Sequence, residues 1–192
     1  YSDAQKQKWN EGDTISIGIG QGYNSYSILQ LAQATAILAN GGIVMKPHLV
    51  KLIEDPITHQ KTPTVPSETT RINFKPENLK VIAEGMIGVN TSGTGRIPFA
   101  GVKYPVAGKT GTAQVFSLGG KDYKASAISE YKRDHALYIA FAPADKPKYA
   151  LALVVENAGF GATAAAPIAR QALDYLMLNN WPEGVPAWKT VQ

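Results

Sequence analysis

The spacing of apolar residues along this chain predicts a short list of elements. Thr14-Ile-Ser-Ile-Gly-Ile19 is β-rich and runs into glycines up to Gly22, which predicts a strand ending in a turn. Ser27-Ile-Leu-Gln30 has the form of a capping box, with Ser27 capping the Gln30 N–H and Gln30 reaching back. The run from there to Ala39 is apolar nearly all round (Leu31, Ala34, Ile37, Leu38), which predicts a buried helix. Asn40-Gly41-Gly42 ends it. Residues 43–53 predict a strand, and 54–70, with three prolines and several threonines, a surface loop. Pro76 opens a second helix, where its missing N–H costs nothing, and Leu79, Ile82, Met86 and Val89 follow at helical spacing. A loop with four glycines spans 91–108. Three strands come next, Thr110–Phe116, Ala136–Ala142 and Tyr149–Val155, the last two joined by a hairpin through Pro143–Lys148. A final helix runs from about Thr163 to Leu178, with Ile168, Ala172, Tyr175 and Leu176 on one side and Arg170 placed to pair with Asp174. Runs of strands and helices in this order predict an α+β fold rather than alternating βαβ units. Residues 1–13 are polar and show no period.

Composition narrows the picture modestly. The 192 residues are 44% hydrophobic and 18% charged, ordinary for one globular domain with a real core. The net charge of +4 is scattered over Lys46, Lys51, Lys61, Lys75, Lys80, Lys103 and Lys109, with no basic stripe, so no nucleic-acid partner is expected. There is no cysteine, which excludes a disulfide scaffold and a thiolate zinc site. No run of about 18 apolar residues predicts a bilayer-crossing helix, and no signal peptide is seen. The chain opens on Tyr1 rather than Met, as expected of a fragment or a processed product.

Candidate chemistry centres on Lys109-Thr110-Gly111-Thr112, at the start of a predicted strand just after a loop. A lysine and two hydroxyls around a glycine make a cationic, donor-rich edge. Gly111 lets a ligand backbone approach closely. Such an edge could pair with an extended peptide, hold a carboxylate, and turn a strand N–H toward an oxyanion. The bland alternative is a polar turn ahead of a strand. Other motifs are weaker. Gly108-Lys109-Thr110 has the ending of a phosphate-binding loop, but position 103 is Lys where that loop needs Gly, and a strand follows instead of a helix. Gly18-Ile-Gly-Gln-Gly22 has its third glycine one residue early for a dinucleotide loop, and reads better as close packing before the buried helix. His48, His59 and His135 lack metal-ligand spacing, so no metal is expected. Trp9, Trp181 and Trp188 are expected to anchor loops near the two ends.

The Lys-Thr-Gly triplet is one of three motifs that penicillin-binding proteins share with class A β-lactamases. The chain resembles the penicillin-binding transpeptidases, in particular those of cell elongation, over nearly its whole length. Gly12-Asp-Thr-Ile-Ser-Ile-Gly-Ile-Gly-Gln-Gly-Tyr23 is similar to the family's segment before a buried helix, and Ala107-Gly-Lys-Thr-Gly-Thr-Ala-Gln-Val115 to its third active-site motif. Arg133-Asp-His135 with Phe141-Ala-Pro143 resembles the following strand, and Glu156-Asn157 the end of the last one. The family's other two motifs, S-x-x-K and S-x-N, should precede the triplet. No S-x-N occurs, and the only S-x-x-K, Ser129-Glu-Tyr-Lys132, lies after it in a polar segment, a coincidence of sequence.

The resemblance therefore implies that residues 1–192 are the C-terminal portion of a single transpeptidase domain, with the nucleophilic serine upstream. It implies a peptidoglycan D,D-transpeptidase acting on D-Ala-D-Ala stem peptides through an acyl-serine, inhibited by β-lactams and needing no cofactor. The Thr112 N–H would form half of the oxyanion hole, and Thr110 and Thr112 hydroxyls would bind the terminal carboxylate. Lys109 would supply positive charge and a bond to the middle-motif serine. Gln114 joins Lys109, Thr110, Gly111 and Thr112 in the substrate-binding set. The implied setting is the periplasmic face of the bacterial inner membrane, with a glycosyltransferase of the elongation machinery as partner. A D,D-carboxypeptidase, a β-lactamase-like hydrolase and a non-catalytic half-domain remain alternatives. Arg96 is expected to be a plain exposed loop residue, and Asp134 and His135 to have a structural role near the sheet. One further expectation is that the 27–39 helix keeps apolar surface uncovered unless the upstream half packs on it.

Overall fold

The computed structural model describes residues 9–21, 24–115 and 128–179. Residues 1–8, Gly22, Tyr23, Phe116, Trp181 and Trp188 lie outside them, and with them the anchoring expected of the last two tryptophans.

The first element among the described residues is a helix, where a strand was expected from Thr14 onward. Residues Glu11–Gly18 form helix α1, whose start is tied by Asn10 N donating to Asp13 Oδ2 at 2.9 Å and Asp13 N to the Asn10 carbonyl at 3.0 Å. At its end Gly20 takes a left-handed φ of 81° and the N–H groups of Gly20 and Gln21 return to the carbonyls of Ile17 and Ser16. This is a Schellman stop, so Gly20 serves backbone conformation. A side chain at Gly18 or Gly20 would meet nothing nearby, which corrects the expectation of close packing. Trp9 is exposed, its indole N–H donating to the Thr14 hydroxyl at 2.9 Å.

Helix α2 spans Ile28–Ala39 with the expected box: Gln30 N donates to Ser27 Oγ at 3.2 Å and Ser27 N to Gln30 Oε1 at 2.8 Å. A second Schellman stop follows at Gly41, while Gly42 sits against the Ile72 carbonyl, where a Cβ would collide. The predicted 43–53 strand is two strands with different partners, β1 (Ile43–Met45) and β2 (Leu52–Glu54). Pro47 between them has no N–H to continue a ladder. The 54–70 stretch is not a plain loop. It carries β3 (Lys61–Pro63), paired with β2, and β4 (Glu68–Arg71), paired with β1. The β2–β3 turn is closed by Asp55, whose carboxylate accepts from Thr58 N at 2.7 Å and Ile57 N at 2.8 Å. Those two N–H groups hold its pKa below the ordinary carboxylate value.

Helix α3 spans Pro76–Thr91, with proline in its first turn as expected. Then come β5 (Ala107–Ala113), a 3₁₀ turn at Glu130–Lys132, β6 (His135–Ala142), β7 (Tyr149–Val155) and α4 (Ala165–Leu178). The three strands form one antiparallel sheet in the order β5-β6-β7, with Ala107 opposite Phe141 and Ala142 opposite Tyr149. β5 begins three residues before the predicted start, so Lys109 lies within the strand.

Alternate residues of β6 serve two layers. Ala136, Tyr138, Ala140 and Ala142 face α4, where Ala165, Ala166, Ala169 and Leu173 meet them with Phe99. Alanine on both sides lets helix and sheet come close, and Tyr138, Phe99 and Leu173 fill the volume. Phe141 faces the other way, against Met86 of α3 and Ala107. Helix α2 packs on this second face, on β7 and β6, but only Thr35 of it is buried, and Leu29 is 63% exposed.

A buried polar link ties α3 to the sheet. Tyr138 Oη donates to Asn90 Oδ1 at 2.7 Å, and Asn90 Nδ2 donates to the Val106 carbonyl at 3.0 Å. Burial pushes the Tyr138 phenol above its ordinary pKa. Gly108 lies over this pair, and a Cβ there would strike the phenol oxygen. Tyr138→Phe strands the buried Asn90 oxygen, so it is expected to cost about 1–3 kcal/mol in urea denaturation.

Candidate active site

β5 is an edge strand, and no strand among the described residues pairs with its second edge. Two side chains cap that edge instead. Lys109 Nζ donates to the Thr110 carbonyl at 2.7 Å, and Gln21 Nε2 to the Thr112 carbonyl at 3.0 Å. In an antiparallel ladder each residue turns its N–H and C=O to the same edge. The N–H groups of Thr110 and Thr112 therefore point to the side from which a ligand can come. Lys109 is exposed, and no carboxylate among the described residues forms an ion pair with it. Its charge is available to an anion.

A cleft of about 380 Å³ opens along this strand. Lys109, Thr110, Gly111, Thr112 and Ala113 form one wall, Gly20, Gln21 and Asn24 another, and Leu31, Leu137 and Ile139 the floor. Asn24 Nδ2 donates to the carbonyls of Gln21 and Ile17, which fixes the second wall. The cleft thus has an apolar floor and a rim of oriented donors, suited to an extended peptide with an anionic end.

Four of the five predicted site residues are brought together here. Gln114 lies just past the end of β5, exposed and outside the cleft lining. Gly111 faces Leu137 across the ladder, and a Cβ there would be 3.2 Å from the Leu137 Cβ. The phosphate-loop alternative fails on geometry, since Lys109 and Thr110 lie mid-strand and open no helix. Ser129 and Lys132 are exposed on the 3₁₀ turn before β6, away from the cleft lining. Arg96 is exposed and also outside the lining. No cluster of three potential metal-ligating side chains occurs among the described residues.

Asp134 and His135 brace the sheet end. Val115 N donates to Asp134 Oδ1 at 3.3 Å, and Gly159 N to the Asp134 carbonyl at 2.8 Å. Asn157 N donates to His135 Nδ1 at 3.0 Å, which leaves a ring proton on Nε2. The Asn157 side chain donates to the carbonyls of Tyr131 and Arg133 from a left-handed φ of 54°.

Three residues escaped the sequence reading. Gln21 was legible only as part of a glycine run. Thr94, in the loop before β5, shares a hydrogen bond of 2.7 Å with the Thr110 hydroxyl. Gly161 lies so close over β5 and β6 that a Cβ would strike the carbonyls of Gly111 and Leu137, and its N–H is 3.5 Å from Thr112 Oγ1.

Comparison with known proteins converges on one family. The family described as penicillin binding protein transpeptidase domain matches residues 1–174. The chain is 42% identical over 186 residues to the peptidoglycan D,D-transpeptidase MrdA of Haemophilus influenzae, covering 93% of this chain but 28% of that protein. Among solved structures it resembles Pseudomonas aeruginosa PBP2 in complex with WCK 5153, with TM-score 0.70, 38% identity, and 90% of this chain against 34% of that one. It also resembles an imipenem acyl-enzyme complex of penicillin-binding protein A from M. tuberculosis, with TM-score 0.65, 32% identity, and 84% against 33% coverage. The chain thus spans less than a third of the curated relative's length.

Proposed function

This chain belongs to the penicillin binding protein transpeptidase family, and on that premise we propose that it forms the K-T-G portion of a peptidoglycan D,D-transpeptidase domain whose serine-bearing part lies outside these residues. The observation that carries the reading is the open edge of β5, with Lys109 and two outward N–H groups over a peptide-sized cleft.

The chemistry runs as follows. A serine Oγ adds to the carbonyl of the penultimate D-alanine, losing its proton to a base in the same remaining part of the domain. The negative oxygen is held by the Thr112 N–H and the serine's own N–H. The C–N bond breaks, the nitrogen takes a proton, and D-alanine leaves an acyl-enzyme. An amine of a second stem peptide then attacks, forming the crosslink and freeing the serine. Lys109, Thr110 and Thr112 hold the terminal carboxylate, and Gly111 admits the peptide backbone; Gln114 lies beyond this contact set in the free chain. A β-lactam enters as a mimic of D-Ala-D-Ala and stops at the acyl stage. The route draws on no metal or organic cofactor. By its resemblance to the elongation transpeptidases, the proposed place is the periplasmic face of the inner membrane, beside a glycosyltransferase of the elongation machinery. No helix among the described residues is long and apolar enough to cross a membrane.

Intact-mass analysis of the full-length protein before and after exposure to penicillin tests this. Gain of one penicillin mass, on a serine outside this chain, is the expected result. Labelling of Ser129 would move the nucleophile into this chain, and no labelling would overturn the enzymatic reading.

A further inference from the structure

The loop between α3 and β5 places a second hydroxyl against the site. After α3, Ser92 N and Gly93 N both return to the Gly88 carbonyl, at 3.0 and 2.9 Å, and Gly95 N returns to Val89 O at 2.8 Å. Glycine is required on both sides of Thr94. A Cβ at Gly93 would stand 2.8 Å from the Val89 Cα, and one at Gly95 would strike the Asn90 side-chain oxygen. The loop is thereby pressed onto the end of α3, and Thr94 is held facing β5 with its Oγ1 2.7 Å from that of Thr110. Among the described residues, Thr110 is the partner the structure gives the Thr94 hydroxyl.

A hydroxyl has one proton to donate and two lone pairs to accept with, and an ionised carboxylate only accepts. Thr110 can therefore donate to a bound carboxylate only if Thr94 is the donor in the bond between them. The reverse arrangement would spend the Thr110 proton on Thr94 and turn a lone pair toward the anion. Beside it the Lys109 ammonium, which donates to the Thr110 backbone carbonyl at 2.7 Å, sets positive charge on the same edge. We propose that Thr94 is a positioning residue of this site: its hydroxyl donates to Thr110 and so directs the Thr110 proton at the carboxylate of the incoming peptide or β-lactam. This rests on the reading of Lys109–Thr112 as the carboxylate and oxyanion cradle.

The test is the second-order acylation rate of the full-length protein by a penicillin and by the methyl ester of its carboxylate. Thr94→Val keeps the shape of the side chain and removes its proton donor. It is expected to slow acylation by the penicillin about tenfold, the size of one weakened hydrogen bond to an ionised group. The ester should react with variant and wild type at the same rate, and Thr94→Ser should restore the penicillin rate. Equal slowing of penicillin and ester by Thr94→Val would show a merely structural role and overturn the proposal, as would an unchanged penicillin rate. A wild-type protein that neither compound acylates would remove the transpeptidase reading itself, a failure distinct from the other two.

Discussion

Thr112→Pro in the full-length protein is expected to slow acylation by penicillin by about 10²–10³-fold while leaving the fold in place. The group under test is a backbone N–H, which no ordinary substitution removes. Proline removes it and keeps the carbonyl that accepts from Gln21. Proline is normally excluded from a sheet because it interrupts a ladder, but on an edge strand its missing N–H can face outward. The Thr112 N–H does face outward, by the alternation argued above. Thr112→Val supplies the control, since it keeps the N–H and removes only the hydroxyl. It should slow acylation far less than the proline variant. Equal loss in both would transfer the role from the backbone to the side chain. A collapsed circular dichroism spectrum for the proline variant would mean that this N–H belongs to the ladder, contrary to the assignment.

Gly161→Ala is the second substitution from which a large effect is expected. The added carbon would meet backbone, the carbonyls of Gly111 and Leu137 and the Gly111 N–H, with no flexible side chain to swing aside. Either the 158–163 loop lifts or β5 shifts against β6. The first outcome would cost about 1–3 kcal/mol of stability, as overpacking does, with acylation largely kept. The second would move the Thr112 N–H from its place, and a misplacement of about 1 Å can cost on the order of 10²-fold in rate. Thermal denaturation together with the acylation rate separates these two. A variant with unchanged midpoint and unchanged rate would show that the loop does not bear on the strand.

What the sequence disclosed, and what it hid, follows from the range of the interactions involved. The Ser27–Gln30 cap and the Pro76 start are settled within one helical turn, and both were legible. The Lys109–Thr112 edge was legible as chemistry because its residues are consecutive. Segment 11–18 misled because its isoleucines and threonine favour strands, while no helix residue in it is buried to enforce a helical period. The signal that mattered was the Asn10-x-x-Asp13 cap. The β2–β3 hairpin is exposed on both faces, so it has no hydrophobic alternation to betray it, and its turn rests on the Asp55 carboxylate. Gln21 and Gly161 reach the site from 91 and 49 residues away respectively. No local pattern encodes such meetings, and only the folded sheet brings them about.

In this chain by itself, without the part of the domain that carries the serine, the two layers of the sheet differ in how far they are closed, and this sets an order of unfolding. On the α4 side, β6 and α4 bury each other almost fully, with Ala136, Tyr138, Ala165 and Leu173 at 0% exposure. On the α2 side the helix keeps Leu29 and most of its neighbours in contact with solvent. Amide hydrogens of β6 and the middle of α4 should therefore exchange only through global opening, and those of α1 and α2 through cheaper local opening. The donors that line the β5 cleft come from both sides. Gln21 belongs to the labile part, while Thr110 and Thr112 lie on β5, which is laddered to β6 along its whole length, so the cleft can lose one wall while its catalytic edge stays formed. Binding a peptide across both would then appear first as slowed exchange around Gln21.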